Sequence, residues 1–80
     1  LTAPLLRDLV LLDDAAFRSM FRKSPVKRIG HERFIRNVLV AIGNSGDKPL
    51  ITIIEPLASS SSTIISDMAK WAIEELGKIK

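Results

Sequence analysis

Pro49-Leu50-Ile51-Thr52-Ile53-Ile54-Glu55-Pro56-Leu57-Ala58 is the stretch whose reading decides the fold. Its β-branched centre, Ile51-Thr52-Ile53-Ile54, suits a buried strand. The same residues carry a helical stripe, because Leu50, Ile53, Ile54 and Leu57 recur at three- and four-residue spacing. No second strand candidate exists elsewhere in the chain, and a lone strand would leave its backbone N–H and C=O groups without partners. A helix is therefore expected. Pro56 should bend or end it early, since the proline ring clashes with the carbonyl four residues back. With this stretch helical, the whole chain is expected to be all-α.

Upstream, Asn44-Ser45-Gly46-Asp47 reads as a tight turn, with Gly43 able to supply a left-handed helix end and Ser45 or Asp47 the next cap. A helix over about His31 to Ile42 places Phe34, Ile35, Val38, Leu39 and Ile42 on one face. Arg33, Arg36 and Asn37 fall on the other. Before it, Ser24 to Gly30 reads as an ordered loop carrying Lys27 and Arg28, opened by Ser24-Pro25, which stops the preceding helix. Asp13 caps that helix, expected to run to about Arg22 with Phe17, Met20 and Phe21 inward. A first helix, about Ala3 to Leu11, has Thr2 as its cap and a stripe of Leu5, Leu6, Leu9 and Leu12. Downstream, Ser59 to Ser62 is a polar linker with Ser62 as a cap. The last helix, about Thr63 to Leu76, buries Ile65, Met68, Ala69, Trp71, Ala72 and Leu76. Lys70–Glu74 and Glu74–Lys78 pair along its outer face, and Gly77 ends it. Five short helices result: the last three resemble antiparallel pairs stacked in a row, with residues 1–29 forming a helical cap and basic loop and residues 30–80 the stacked part.

Eighty residues make a single domain, since autonomous domains mostly run about 50–250 residues. The chain opens on Leu1, which suggests a domain cut from a longer protein. It has no cysteine, so it offers no disulfide, thiolate zinc site, iron–sulfur ligand or cysteine nucleophile, and its single histidine excludes a His-pair metal site. No apolar run approaches the roughly 18 residues of a membrane span. A cytoplasmic, membrane-free location is expected. Mean hydropathy of +0.19 is high for so small a chain and suggests apolar surface that meets a neighbouring domain.

The formal charge of +3 is unevenly spread. Between residues 18 and 36, seven bases (Arg18, Arg22, Lys23, Lys27, Arg28, Arg33, Arg36) stand against Glu32, a net +6, while the remainder, with five bases and eight acids, is −3. A basic segment beside an acidic remainder is the footprint of a polyanion site. A solvated helix face accounts equally well for the charge alone. Phe17, Phe21 and Phe34 look like core and leave no obvious platform for base stacking. His31 has no carboxylate or nucleophile pattern beside it to make it a general acid and reads as a surface histidine at a helix start. Asn37 and Asn44 are expected to bond turns or neighbouring helices, and Trp71 to pack in the core or at a domain interface. No catalytic constellation emerges.

Ser24-Pro25-Val26-Lys27-Arg28-Ile29-Gly30, then Arg36-Asn37-Val38, then Gly43-Asn44-Ser45-Gly46-Asp47 resemble the C-terminal region of epoxyqueuosine reductases. Leu12-Asp13-Asp14-Ala15-Ala16-Phe17-Arg18, followed by Phe21, is similar to the same family. Order and spacing agree over roughly residues 9–47. The resemblance implies a HEAT-like helical domain that helps hold tRNA, not catalytic by itself. It belongs to an oxidoreductase that reduces epoxyqueuosine at the tRNA wobble position to queuosine. It also implies cobalamin and two 4Fe-4S clusters in upstream catalytic domains, none of them in this stretch. On that resemblance Lys27, Arg28, Arg33 and Arg36 are the expected RNA-binding residues, the anticodon stem-loop is the expected RNA partner, and the upstream catalytic domains of the same enzyme are its protein partners. Arg36 has a competing structural role, pairing with an acid of a neighbouring helix. The chain departs from the family's pattern at Ser59–Ser62, at Ile65-Ser66 and at His31, while the segment from Lys27 to Asn44 keeps it. The alternative is a helical scaffold docking on other domains or proteins, to which the apolar surplus points. A helix-turn-helix around Gly43–Asp47 is disfavoured, because the helix after the turn is apolar and has no base-reading face.

Overall fold

Helix α3 (His31–Ser45) is the axis on which the rest is assembled. A computed structural model describes residues 3–78, with the side chains of residues 5–78. Among these residues every regular element is helical: α1 (Ala3–Val10), α2 (Asp14–Met20), a 3-10 turn (Pro25–Ile29), α3, α4 (Leu50–Ile54), a second 3-10 turn (Glu55–Ser59) and α5 (Thr63–Gly77). The expected cap at Thr2 lies outside the described residues. The all-α reading of residues 49–58 holds. Pro56 breaks the segment as its chemistry requires, so α4 is five residues long and continues as a tighter 3-10 turn.

The core runs along one face of α3. Phe34, Ile35, Val38, Leu39 and Ile42 are buried, as their spacing demands, against Ile65, Ala69, Ala72 and Leu76 of α5. Leu50 and Ile54 of α4 close one side and Leu6 and Val10 of α1 the other. The α1 stripe is thus displaced from expectation: Val10 is buried, while Leu5 is 42% exposed. A leucine-rich helix offers more than one apolar face, and its contact with α3 and α4 selects the one through Leu6 and Val10. Helix α2 is shorter than expected and makes its main contact with α3, so it buries the narrow edge carrying Phe17, with Phe21 just beyond its end partly buried, and Met20 stands 58% exposed.

The α3–α5 seam corrects the reading of Gly43. This residue is helical and buried, and a Cβ built on it would lie 2.9 Å from Cη2 of the Trp71 ring. It is a point of close helix approach rather than a helix end. Helix α3 runs three residues further than expected, and Gly46, at φ 74°, takes the left-handed position instead. Neither Ser45 nor Asp47 caps α4 through its side chain. Ser45 Oγ donates to the Ile42 carbonyl (2.6 Å) and accepts the Asp47 N–H (3.1 Å), holding the turn. The caps at Asp13 and Ser62 form as expected, with Asp13 Oδ1 accepting the Ala16 N–H (2.7 Å) and Ser62 Oγ that of Ile65 (3.3 Å). Near the C-terminus, Lys78 pairs with Glu75 (2.7 Å) rather than with Glu74.

Candidate nucleic-acid interface

The segment expected to be an ordered loop, Ser24 to Gly30, is a hydrogen-bonded 3-10 turn. Ser24 Oγ accepts the Val26 N–H (3.2 Å), Pro25 fixes the entry, and the N–H groups of Lys27 and Gly30 donate to the carbonyls of Ser24 (3.1 Å) and Lys27 (3.2 Å). Its upstream end is tied by the Ser24 N–H to the Phe21 carbonyl (2.8 Å). In a turn of about three residues per revolution, Val26 packs toward the core, while Lys27 and Arg28 are exposed. This geometry folds the turn back on the end of α2, so Arg22, Lys23, Lys27 and Arg28 line one open recess of about 320 Å³ with Ser24 and Pro25.

None of these four cations has an ion-pair partner among the described residues, and no acid lines the recess. Four unpaired like charges around one depression repel one another, and a bound anion relieves that repulsion. Arg22 and Lys23 were not among the expected site residues. Their place beside Arg28 follows from the 3-10 turn, which has no apolar periodicity to announce it.

Arg33 and Arg36 are exposed on the outer face of α3 and do not line the recess. Arg36 Nη1 donates to Asn37 Oδ1 (3.1 Å), its own neighbour, rather than to an acid of another helix. Arg18 is engaged by Asp14, with Nε 3.1 Å from Oδ2. His31 is half-buried rather than a free surface group. Its Nε2 lies 2.6 Å from the Leu12 carbonyl oxygen and must donate there, and its ring meets that of Phe17 edge-on at 6.0 Å. It is a tie between the start of α3 and the α1–α2 turn. At the same end of α3, Ser62 Oγ donates to the Glu32 carboxylate and pins the start of α5.

The fold and this site define a small all-α domain that displays an unpaired cationic recess on a hydrogen-bonded turn. Three curated proteins, each named epoxyqueuosine reductase, are similar to it. That of Vibrio cholerae is 34% identical over 71 residues, covering 85% of this chain and 19% of the relative. That of Xanthomonas campestris pv. campestris is 32% identical over 66 residues (81% and 19%), and that of Escherichia coli 32% over 76 residues (94% and 20%). The chain is similar to one part of these epoxyqueuosine reductases and spans about a fifth of their length. No family model matches it, and no solved structure does. Among the described residues no helix is long and apolar enough to cross a membrane.

Proposed function

We propose that this chain is the tRNA-holding module of an epoxyqueuosine reductase, a HEAT-like helical domain that grips the anticodon stem-loop while the rest of the enzyme reduces epoxyqueuosine to queuosine. The observation that supports this most is the recess of Arg22, Lys23, Lys27 and Arg28, four cations without partners where a hydrogen-bonded turn folds back on the end of α2. Arg33 and Arg36 extend the cationic surface along α3. The module positions substrate and does no chemistry. Its residues do not fit the cofactors that the family implies: with no cysteine it supplies no thiolate to a 4Fe-4S cluster, and no group of three metal-ligating side chains converges among the described residues. In this proposal both the clusters and cobalamin belong to other domains of the parent enzyme.

Filter binding to an anticodon stem-loop tests it. With four phosphate contacts, counterion release gives a slope of about −3 in log affinity against log salt, so binding weakens about 50- to 150-fold between roughly 50 and 200 mM salt. Lys27→Glu/Arg28→Glu should weaken it at least about tenfold at the lower salt. Indifference to salt, or a charge-reversed variant that binds as the parent does, refutes the role given to the turn.

A second reading, a scaffold docking on other domains of the enzyme, is favoured by a different observation. Leu9, Val26, Ile29, Phe34, Val38 and Ala41 line a mainly apolar recess of about 280 Å³ between α1, the first 3-10 turn and α3, and Ile29 at its edge is 42% exposed. Binding to the remainder of the enzyme that excess stem-loop RNA leaves undisturbed would identify this surface as the functional one.

A further inference from the structure

Lys27 stands between two recesses. On one side lies the cationic recess that it shares with Arg22, Lys23 and Arg28. On the other lies a more enclosed one of about 190 Å³, walled by Asp14, Phe17, Arg18, Lys27, Gly30 and His31. Their chemistries differ. The first presents positive charge and donors. The second sets a carboxylate, a guanidinium and an imidazole beside an aromatic ring, with Asp14 and Arg18 paired at 3.1 Å on the exposed side. The imidazole is held from within, because His31 Nε2 donates to the Leu12 carbonyl at 2.6 Å and the ring lies edge-on to Phe17. This recess is smaller than the roughly 300 Å³ at which pockets for drug-sized ligands begin. It has room for one ring system, not for a whole nucleotide.

We infer that the two recesses form one nucleotide site, in which the cationic recess takes a backbone phosphate and the Asp14–Arg18–His31 recess takes the unpaired base attached to it. The inference rests on the RNA-binding proposal above and deepens it, since it requires the RNA to be single-stranded where it meets Lys27. Unpaired bases are held by stacking on aromatic or guanidinium planes and by hydrogen bonds to their exposed edges. The guanidinium of Arg18 and the imidazole of His31 supply the planes. Asp14 accepts from base N–H groups, and Lys27 donates to base carbonyls. A base in a duplex stem has its pairing edge occupied and cannot enter.

The test is fluorescence anisotropy on the full chain with two labelled RNAs of equal length, about eight nucleotides, one natural and one abasic at every position, so that the phosphates match and only the bases differ. The natural RNA should bind roughly tenfold more tightly. Asp14→Asn/Arg18→Gln, which leaves net charge unchanged, should reduce it to the abasic level without altering the abasic RNA, with circular dichroism confirming the fold. Equal affinity for the two RNAs, or a double variant that keeps the full preference for bases, overturns the nucleotide site. Lys27→Glu/Arg28→Glu separates this from failure of the underlying proposal: it should weaken both RNAs. If it weakens neither, or if neither RNA binds the parent chain, the RNA-binding proposal itself falls.

Discussion

Replacing Gly43 by alanine sets two effects of known size against each other. In a helix interior alanine is favoured over glycine by about 1 kcal/mol, so propensity alone makes the variant more stable. Against this stands Trp71. A Cβ at position 43 would lie 2.9 Å from its Cη2 and 3.1 Å from its Cε3, with Cζ3 nearer still, so either the ring or α5 must shift. Trp71 packs on the core and cannot yield without losing that packing, and overpacking of this kind costs typically about 1–3 kcal/mol. The net expectation is destabilisation by about 1 kcal/mol, with propensity offsetting part of the steric term. For a domain of this size that lowers Tm by about 4–8 °C. Trp71 is the only tryptophan in the chain, so its emission reports displacement of the ring directly while circular dichroism follows unfolding. In a Trp71→Leu background the overlap is gone, and Gly43→Ala should there raise stability by about 1 kcal/mol. A Gly43→Ala protein that is more stable than its parent with unchanged tryptophan emission refutes the reasoning, because it means the two helices do not meet at this point.

His31→Phe keeps a ring against Phe17 but leaves the Leu12 carbonyl without its donor; urea unfolding should show a loss of about 1–2 kcal/mol, and no loss would mean that water replaces the imidazole fully. Ser62→Ala removes both the α5 cap and the tie to Glu32, for a loss of about 1–2 kcal/mol. Ser62→Asp restores the cap but sets a carboxylate against Glu32, so it should recover little at neutral pH and most of the loss once Glu32→Gln is added, as thermal unfolding of the three variants would show.

Much of the fold is legible in the residues, and the illegible parts share one cause. Periodicity says which side chains share a face, but not which neighbour covers that face. On α3 the stripe from Phe34 to Ile42 was unambiguous because the opposite face is polar. On α1 the stripe of Leu5, Leu6, Leu9 and Leu12 missed the buried Val10, because a leucine-rich helix has more than one apolar face and the contact with α3 and α4 selects among them. Gly43 looked like a helix end because glycine usually is one; it is a point of contact because Trp71, 28 residues later, rests on it. His31 looked like a free surface group because nothing local betrays a bond to Leu12, 19 residues back.

The candidate site divides along the same line. Net charge, the absence of thiols, the caps at Asp13 and Ser62 and the break at Pro56 are properties of composition and short-range sterics, and the sequence determined them alone. That Lys27 and Arg28 are exposed on an ordered segment also follows from Ser24-Pro25. Their meeting with Arg22 and Lys23 around one recess, away from Arg33 and Arg36, was decided by the tertiary structure. The sense in which a 3-10 turn folds back on a helix end depends on what both of them pack against, and here that surface is α3.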